Sequence, residues 1–172
     1  TFSTSFPTLN PGGGAYFQGA LNGLEDGYIA RFTLAGVLQW STYFGGSSYD
    51  VAEEPAVDAA GHVYVLGVTG STDLPTYDPG GGAYYQPASG GSDDLFLARF
   101  DAANAPVWAT YFGGSQQEGA GGHAITLDNQ GRVSVTALTS STDFPVLDPA
   151  NGSYFNGSYG GLRDAIIAQF AP

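Results

Sequence analysis

The sequence predicts an all-β fold of antiparallel four-stranded units in tandem, and three observations carry that prediction. The phrase WSTYFGG at 40–46 returns as WATYFGG at 108–114, 68 residues later, so the chain is internally repeated. The 27 glycines lack the every-third-residue period of collagen and therefore belong to turns. Eleven Tyr, eleven Phe and two Trp supply the bulk that sheets pack with, and few stretches repeat their apolar residues at helical spacing.

The elements follow in order. TFSTSFP (1–7), TGSTDLP (69–75) and TSSTDFP (139–145) are three copies of one phrase, spaced 68 and then 70 residues apart. The copies span 1–68, 69–138 and, in part, 139–172, within a single domain 1–172. Each phrase leads into a turn-rich aromatic segment: LNPGGGAYFQ, YDPGGGAYYQ or LDPANGSYFN. A strand with an acidic start comes next, as EDGYIARF (25–32), DDLFLARF (93–100) and RDAIIAQF (163–170); it is run c. Run d is QWSTYF or VWATYF. Run a leads into Asp58 or Asp128, and run b is HVYVLGV or RVSVTAL. Between a and b, AVDAAGHV and TLDNQGRV place Asp and Gly for a tight hairpin. The two extra residues of the second spacing fall between FGG and the next run b, where a loop absorbs them.

Run c is apolar on both faces except at Arg31, Arg99 and Gln169, so it predicts a sheet covered on both sides. Four antiparallel strands per repeat and two-sided cover point to propeller-type blades, with the excess length in the b-to-c connection. The order along the chain is c-d, a-b-c-d, a-b-c: nine strands, about two and a quarter blades. A ring needs about four to eight blades. Three readings stay open: a piece of a longer chain, a subunit that completes its blades with neighbours, or strands stacked in something other than a ring.

WSTYFGG, D-x-x-G-x-V-Y-V-x-G-x-T, S-x-D-F-P and A-Y-x-Q together resemble the bacterial seven-bladed β-propeller repeat family, over nearly the whole chain. Ser5 stands where that pattern has Asp, Leu74 where it has Phe, and VSVTAL lacks the aromatic of VYVLGV. The resemblance implies an architecture of exported and surface bacterial proteins with no common catalytic motif. Location and shape follow from it more than chemistry does.

The net charge is −12 with no lysine, which disfavours nucleic acid and acidic bilayers as partners. The absence of cysteine excludes disulfides and thiolate sites. No apolar run of about 18 residues exists, so no membrane insertion as a helix is expected. The chain starts at Thr1 and contains no methionine, which predicts either a removed leader, and with it an extracellular or cell-surface location, or an excised piece.

Candidate chemistry is sparse. Asp26, Asp94 and Asp164 precede run c in every copy and are the calcium candidates. A turn-forming role at a strand entry explains them more simply, as it does Asp73 and Asp143 in S-T-D-[LF]-P. No other cofactor is expected. Glu53 and Glu54, beside Asp50, read as a solvated acidic loop, in the region that the second copy fills with Gln117 and Glu118. His62 and His123 do not recur at equivalent positions. No nucleophile elbow or phosphate loop exists, so no enzyme is expected. The aromatic pairs Tyr16-Phe17, Tyr84-Tyr85 and Tyr154-Phe155 suit sugar stacking, or the anchoring of the long connection by one ring of each pair. Asn151 and Asn156 head N-x-S sequons, glycosylation candidates in a host with that pathway.

Two functions follow as expectations. The first is a non-enzymatic exported structural protein that pairs with other copies of itself into an oligomer or filament. Its assembly strand is Ala165, Ile166, Ile167, Ala168, Gln169 and Phe170, an apolar edge unprotected until Pro172. The second is a glycan- or ligand-binding propeller module excised from a larger surface protein.

Overall fold

A computed structural model describes residues 1–170; Pro172 lies outside the described residues. Nine strands and no helix are found among them. Sheet I pairs β1 (Gly27–Phe32) with β2 (Leu38–Phe44). Sheet II runs β3 (Asp50–Val57), β4 (Val63–Thr69), β5 (Asp94–Phe100) and β6 (Pro106–Phe112), neighbours in space as in sequence. Sheet III is β7 (Ala124–Leu127), β8 (Val133–Thr139) and β9 (Asp164–Phe170). All pairings between these strands are antiparallel. Sheets of two, four and three strands reproduce the c-d, a-b-c-d, a-b-c order, and none closes on itself.

Local chemistry explains the tight turns. Asp58 Oδ1 accepts the amides of Ala60 and His62, and Asp128 Oδ1 accepts those of Gln130 and Arg132. Gly61 and Gly131 then take φ of 86° and 80°, which only glycine adopts without strain. Asp101 does the same between β5 and β6 through Ala103 and Ala105. The two inserted residues lie before β7, where Gly119, Gly121 and Gly122 turn with positive φ and shorten run a from eight residues to four.

Strand alternation divides each sheet's side chains between two interfaces. Ile29, Trp40 and Phe44 of sheet I pack on Val63, Val65, Phe96, Ala98 and Phe100 of sheet II. The opposite face of sheet II, with Leu66, Leu95, Leu97, Trp108 and Phe112, packs on Val133, Val135, Ala137 and Ile166 of sheet III. Two-sided cover is therefore real for the central run c, in which six of seven residues are buried. It does not hold for the terminal sheets. In β9 only Ile166 is buried, because one face of sheet III has no neighbour among the described residues.

The long b-to-c connection closes the outer edge of strand d. Tyr77 and Ala109 exchange both backbone bonds, at 2.9 and 3.0 Å, and Tyr111 N–H donates to Gln86 O. In the first copy Leu9 and Ser41, then Gln18 and Tyr43, repeat those contacts. Edge strands β2 and β6 are thereby shielded without lysine.

Candidate functional site

The connection, strand c and the F-G-G turn after strand d converge on buried carboxylates at each junction between sheets. Asp26, at the entry to β1, is fully buried and accepts bonds from Gln18 Nε2 (2.5 Å) and the amides of Asn22 (2.8 Å) and Gly23 (3.3 Å). Asp50, first residue of β3, is equally buried and accepts from Gly46 N–H (2.7 Å), Thr69 Oγ1 (2.5 Å) and Ser71 Oγ (2.7 Å). Gly45 separates the two: a Cβ there would lie 2.7 Å from Asp26 Oδ1 and 2.8 Å from Asp50 Oδ2. Glycine is required at this close approach.

The next junction repeats the pair of buried carboxylates, with fewer donors to the first and a longer side chain at the second. Asp94 Oδ2 accepts Gly90 N–H at 2.7 Å. Glu118 takes the place of Asp50, accepting Gly114 N–H (3.0 Å), Thr139 Oγ1 (2.8 Å) and Ser141 Oγ (2.5 Å). Gly113 lies between them, where a Cβ would collide with Asp94 Oδ1 and lie 2.6 Å from Glu118 Oε2. Glutamate is one methylene longer than aspartate. Asp94 Oδ1 is buried with no donor to it. Two carboxylate oxygens bond to each other only with a proton between them. Burial first, and then the Glu118 carboxyl, push Asp94 up to about 6. Burial also raises Asp50, against the opposing pull of its hydroxyl and amide donors.

Asp50 and Glu118, expected in a solvated acidic loop, are instead buried polar joints. Glu53 and Glu54 are likewise within β3 rather than in a loop. A bulge between Ala52 and Glu54 leaves Glu53 out of the pairing register, and it meets His123 of the third sheet's approach. The signal for the joints is present in the repeats. Asp50 and Glu118 share one offset with Gly46 and Gly114, with a Thr and a Ser following each at equivalent places.

The predicted site residues fall as follows. Asp26 and Asp94 belong to the paired joints. Among the described residues, Asp164 accepts only Gly160 N–H, at 2.7 Å, is half-exposed, and has no strand d beside it. Asp73 and Asp143 are not local turn-formers. Asp73 Oδ1 accepts the amide and hydroxyl of Ser47, and Asp143 Oδ1 those of Ser115, 26 and 28 residues away. These bonds from Ser47 and Ser115 hold both carboxyls below their ordinary value. They fasten each connection to the F-G-G turn of the preceding sheet. Asn151 and Asn156 are exposed, and their side chains accept the Ser153 and Ser158 amides. Tyr16 and Tyr84 anchor the connection by packing on Phe44 and Phe112, so their rings do not form an open sugar platform.

Among the described residues no three His, Asp or Glu side chains converge as a metal cage. Calcium takes six to eight oxygens, and each joint offers two carboxylates, most of whose oxygens already accept amides and hydroxyls. EDTA is expected to leave the melting temperature unchanged, measured by circular dichroism at pH 7. A fall of several degrees on chelation, reversed by calcium, would reassign the joints as cation sites.

A scan against protein-family models finds no match for this chain, and a search of curated proteins finds no similar sequence.

Proposed function

We propose that this chain is a non-enzymatic structural repeat module of propeller-type blades, joined head to tail with other copies of itself at a cell surface or outside the cell. One observation carries the reading: the last phenylalanine of run c, and the apolar residue three before it, are covered where a neighbouring sheet exists and exposed where none does. Phe100 is 1% exposed against Trp40, and Phe170 packs on Trp108, but Phe32, their equivalent in sheet I, is 57% exposed. On the far side, Leu97 is 1% exposed and its equivalent Ile167 is 84% exposed. The outer face of sheet I thus carries the knobs, and sheet III the apolar row, that meet at each internal junction. A contact between these two different faces is heterologous and propagates.

Sheet III's outer face is the weaker partner. Ser134, Thr136 and Ala165 stand where sheet II has Tyr64, Leu66 and Leu95. Smaller, more polar side chains bury less apolar area, so the contact between copies is weaker than the internal ones and depends on concentration. Sedimentation across a hundredfold dilution tests this. The wild-type chain is expected to shift from larger species to monomer. Ile167→Lys, at a site already exposed in the monomer, should leave melting unchanged and weaken association by about tenfold or more (~1.4 kcal/mol). A chain that stays monomeric at all concentrations would refute self-assembly and leave the binding-module reading.

A further inference from the structure

We infer that β9 and the connection 140–162 form a slot that binds a single β-strand of the W-x-T-Y-F-G-G type. This rests on the reading that a partner joins the chain at sheet III, and it names the chemistry of a strand that sheet III would take. In the first two copies the corresponding slot is occupied, by β2 and by β6, and the same atoms hold each occupant.

The occupant's indole N–H donates to a connection carbonyl: Trp40 Nε1 to Tyr16 O at 2.8 Å, and Trp108 Nε1 to Tyr84 O at 3.0 Å. Its threonine hydroxyl accepts a connection amide, Gln18 N–H to Thr42 and Gln86 N–H to Thr110, both at 2.8 Å. Its tyrosine hydroxyl donates to Ser3 O or Ser71 O at 2.8 Å, and accepts Phe6 N–H or Leu74 N–H at 3.1 and 2.9 Å. Its first glycine lies against the aspartate that opens strand c.

The third copy carries every backbone anchor of this set. Tyr154 O corresponds to Tyr16 O and Tyr84 O, Asn156 N–H to those of Gln18 and Gln86, and Ser141 O and Phe144 N–H to the tyrosine's partners. Asp164 is the waiting aspartate. One contact is lost: Asn156 is a methylene shorter than the Gln18 and Gln86 whose Oε1 accepts the glycine amide. Exposure follows the missing neighbour. Tyr154 is 92% exposed and Leu147 88%, whereas Tyr16, Tyr84 and Tyr77 are half-buried. The β5–β6 register sets the pairing: Ile166 opposite the incoming Tyr, Ile167 opposite Thr, Gln169 opposite Trp. Added main-chain bonds supply affinity and the Trp, Thr and Tyr contacts supply selectivity, as in strand addition generally.

The probe is a fluorescein-labelled peptide VWATYFGGS, the chain's own residues 107–115, titrated with the full chain and read by anisotropy. Saturable binding is expected, weakened about tenfold or more by Trp→Ala in the peptide. Asn156→Pro in the chain removes the amide that the peptide threonine needs and should abolish binding, while Asn156→Ala keeps that amide and should bind normally. Binding that is absent, or indifferent to Trp→Ala and to Asn156→Pro, overturns the slot. Peptide binding by a chain that sediments as a monomer would keep the slot and refute self-assembly. Association without peptide binding would do the reverse.

Discussion

Trp40→Ala and Trp108→Ala are each expected to destabilise the chain by about 3–5 kcal/mol, the largest single-residue effects available in it. The two indoles are 0% and 8% exposed and occupy equivalent places in successive junctions. Each packs edge-on or tilted against a phenylalanine of the next sheet, Phe100 or Phe170, with ring centroids 5.2 and 5.3 Å apart. Removing the ring leaves a cavity and also orphans the Tyr16 or Tyr84 carbonyl that the indole N–H satisfies. Urea unfolding followed by fluorescence of the remaining tryptophan measures the loss. Trp40→Ala should release sheet I first, since a two-stranded sheet is marginal without its packing on a neighbour. A neutral substitution at either position would contradict the junction packing.

The second large effect is a stabilisation. Burial, and then the neighbouring Glu118 carboxyl, push Asp94 up to about 6 from the ordinary 3.8. A carboxyl raised in this way favours the fold fully below about pH 4, and that contribution is lost as pH rises through about 6. At pH 7, ionising this buried carboxyl beside Glu118 costs stability. Asp94→Asn should recover most of it, because the amide accepts Gly90 N–H and donates to Glu118 without needing a proton. Wild type is therefore expected to melt higher at pH 5 than at pH 7, with the difference much reduced in Asp94→Asn. Asp58, Asp73, Asp128 and Asp143 are held below their ordinary value by hydrogen bonds, so what they contribute is lost only below about pH 4. A wild-type stability flat from pH 5 to 7 would show that Asp94 and Glu118 do not share a proton.

Repetition makes the strands legible. Nine strands, their antiparallel order and the Asp-Gly hairpins are readable because each is specified by a few adjacent residues, and the copies support one another. The positive φ of Gly12–Gly14 and Gly80–Gly82 is readable for the same reason. The aromatic pairs are readable only in part. Tyr16 and Tyr84 look the same in sequence as Tyr154, yet the first two touch a following sheet and the third does not.

Sequence alone therefore determined what each repeat is: which runs become strands and where they turn. Only the tertiary structure decided which groups meet between repeats. Asp50 and Glu118 read as solvated carboxylates because their donors, Thr69 and Ser71 or Thr139 and Ser141, are about twenty residues away across a strand pair. Asp73 and Asp143 read as local turn-formers because Ser47 and Ser115 lie in the preceding sheet. Burial was undecided for the same reason. Leu97 and Ile167 occupy the same register position on the same kind of strand, and they differ only in whether another sheet stands opposite. Local pattern fixes a residue's direction from the backbone; exposure and pKa depend on what the folded chain brings to the other side.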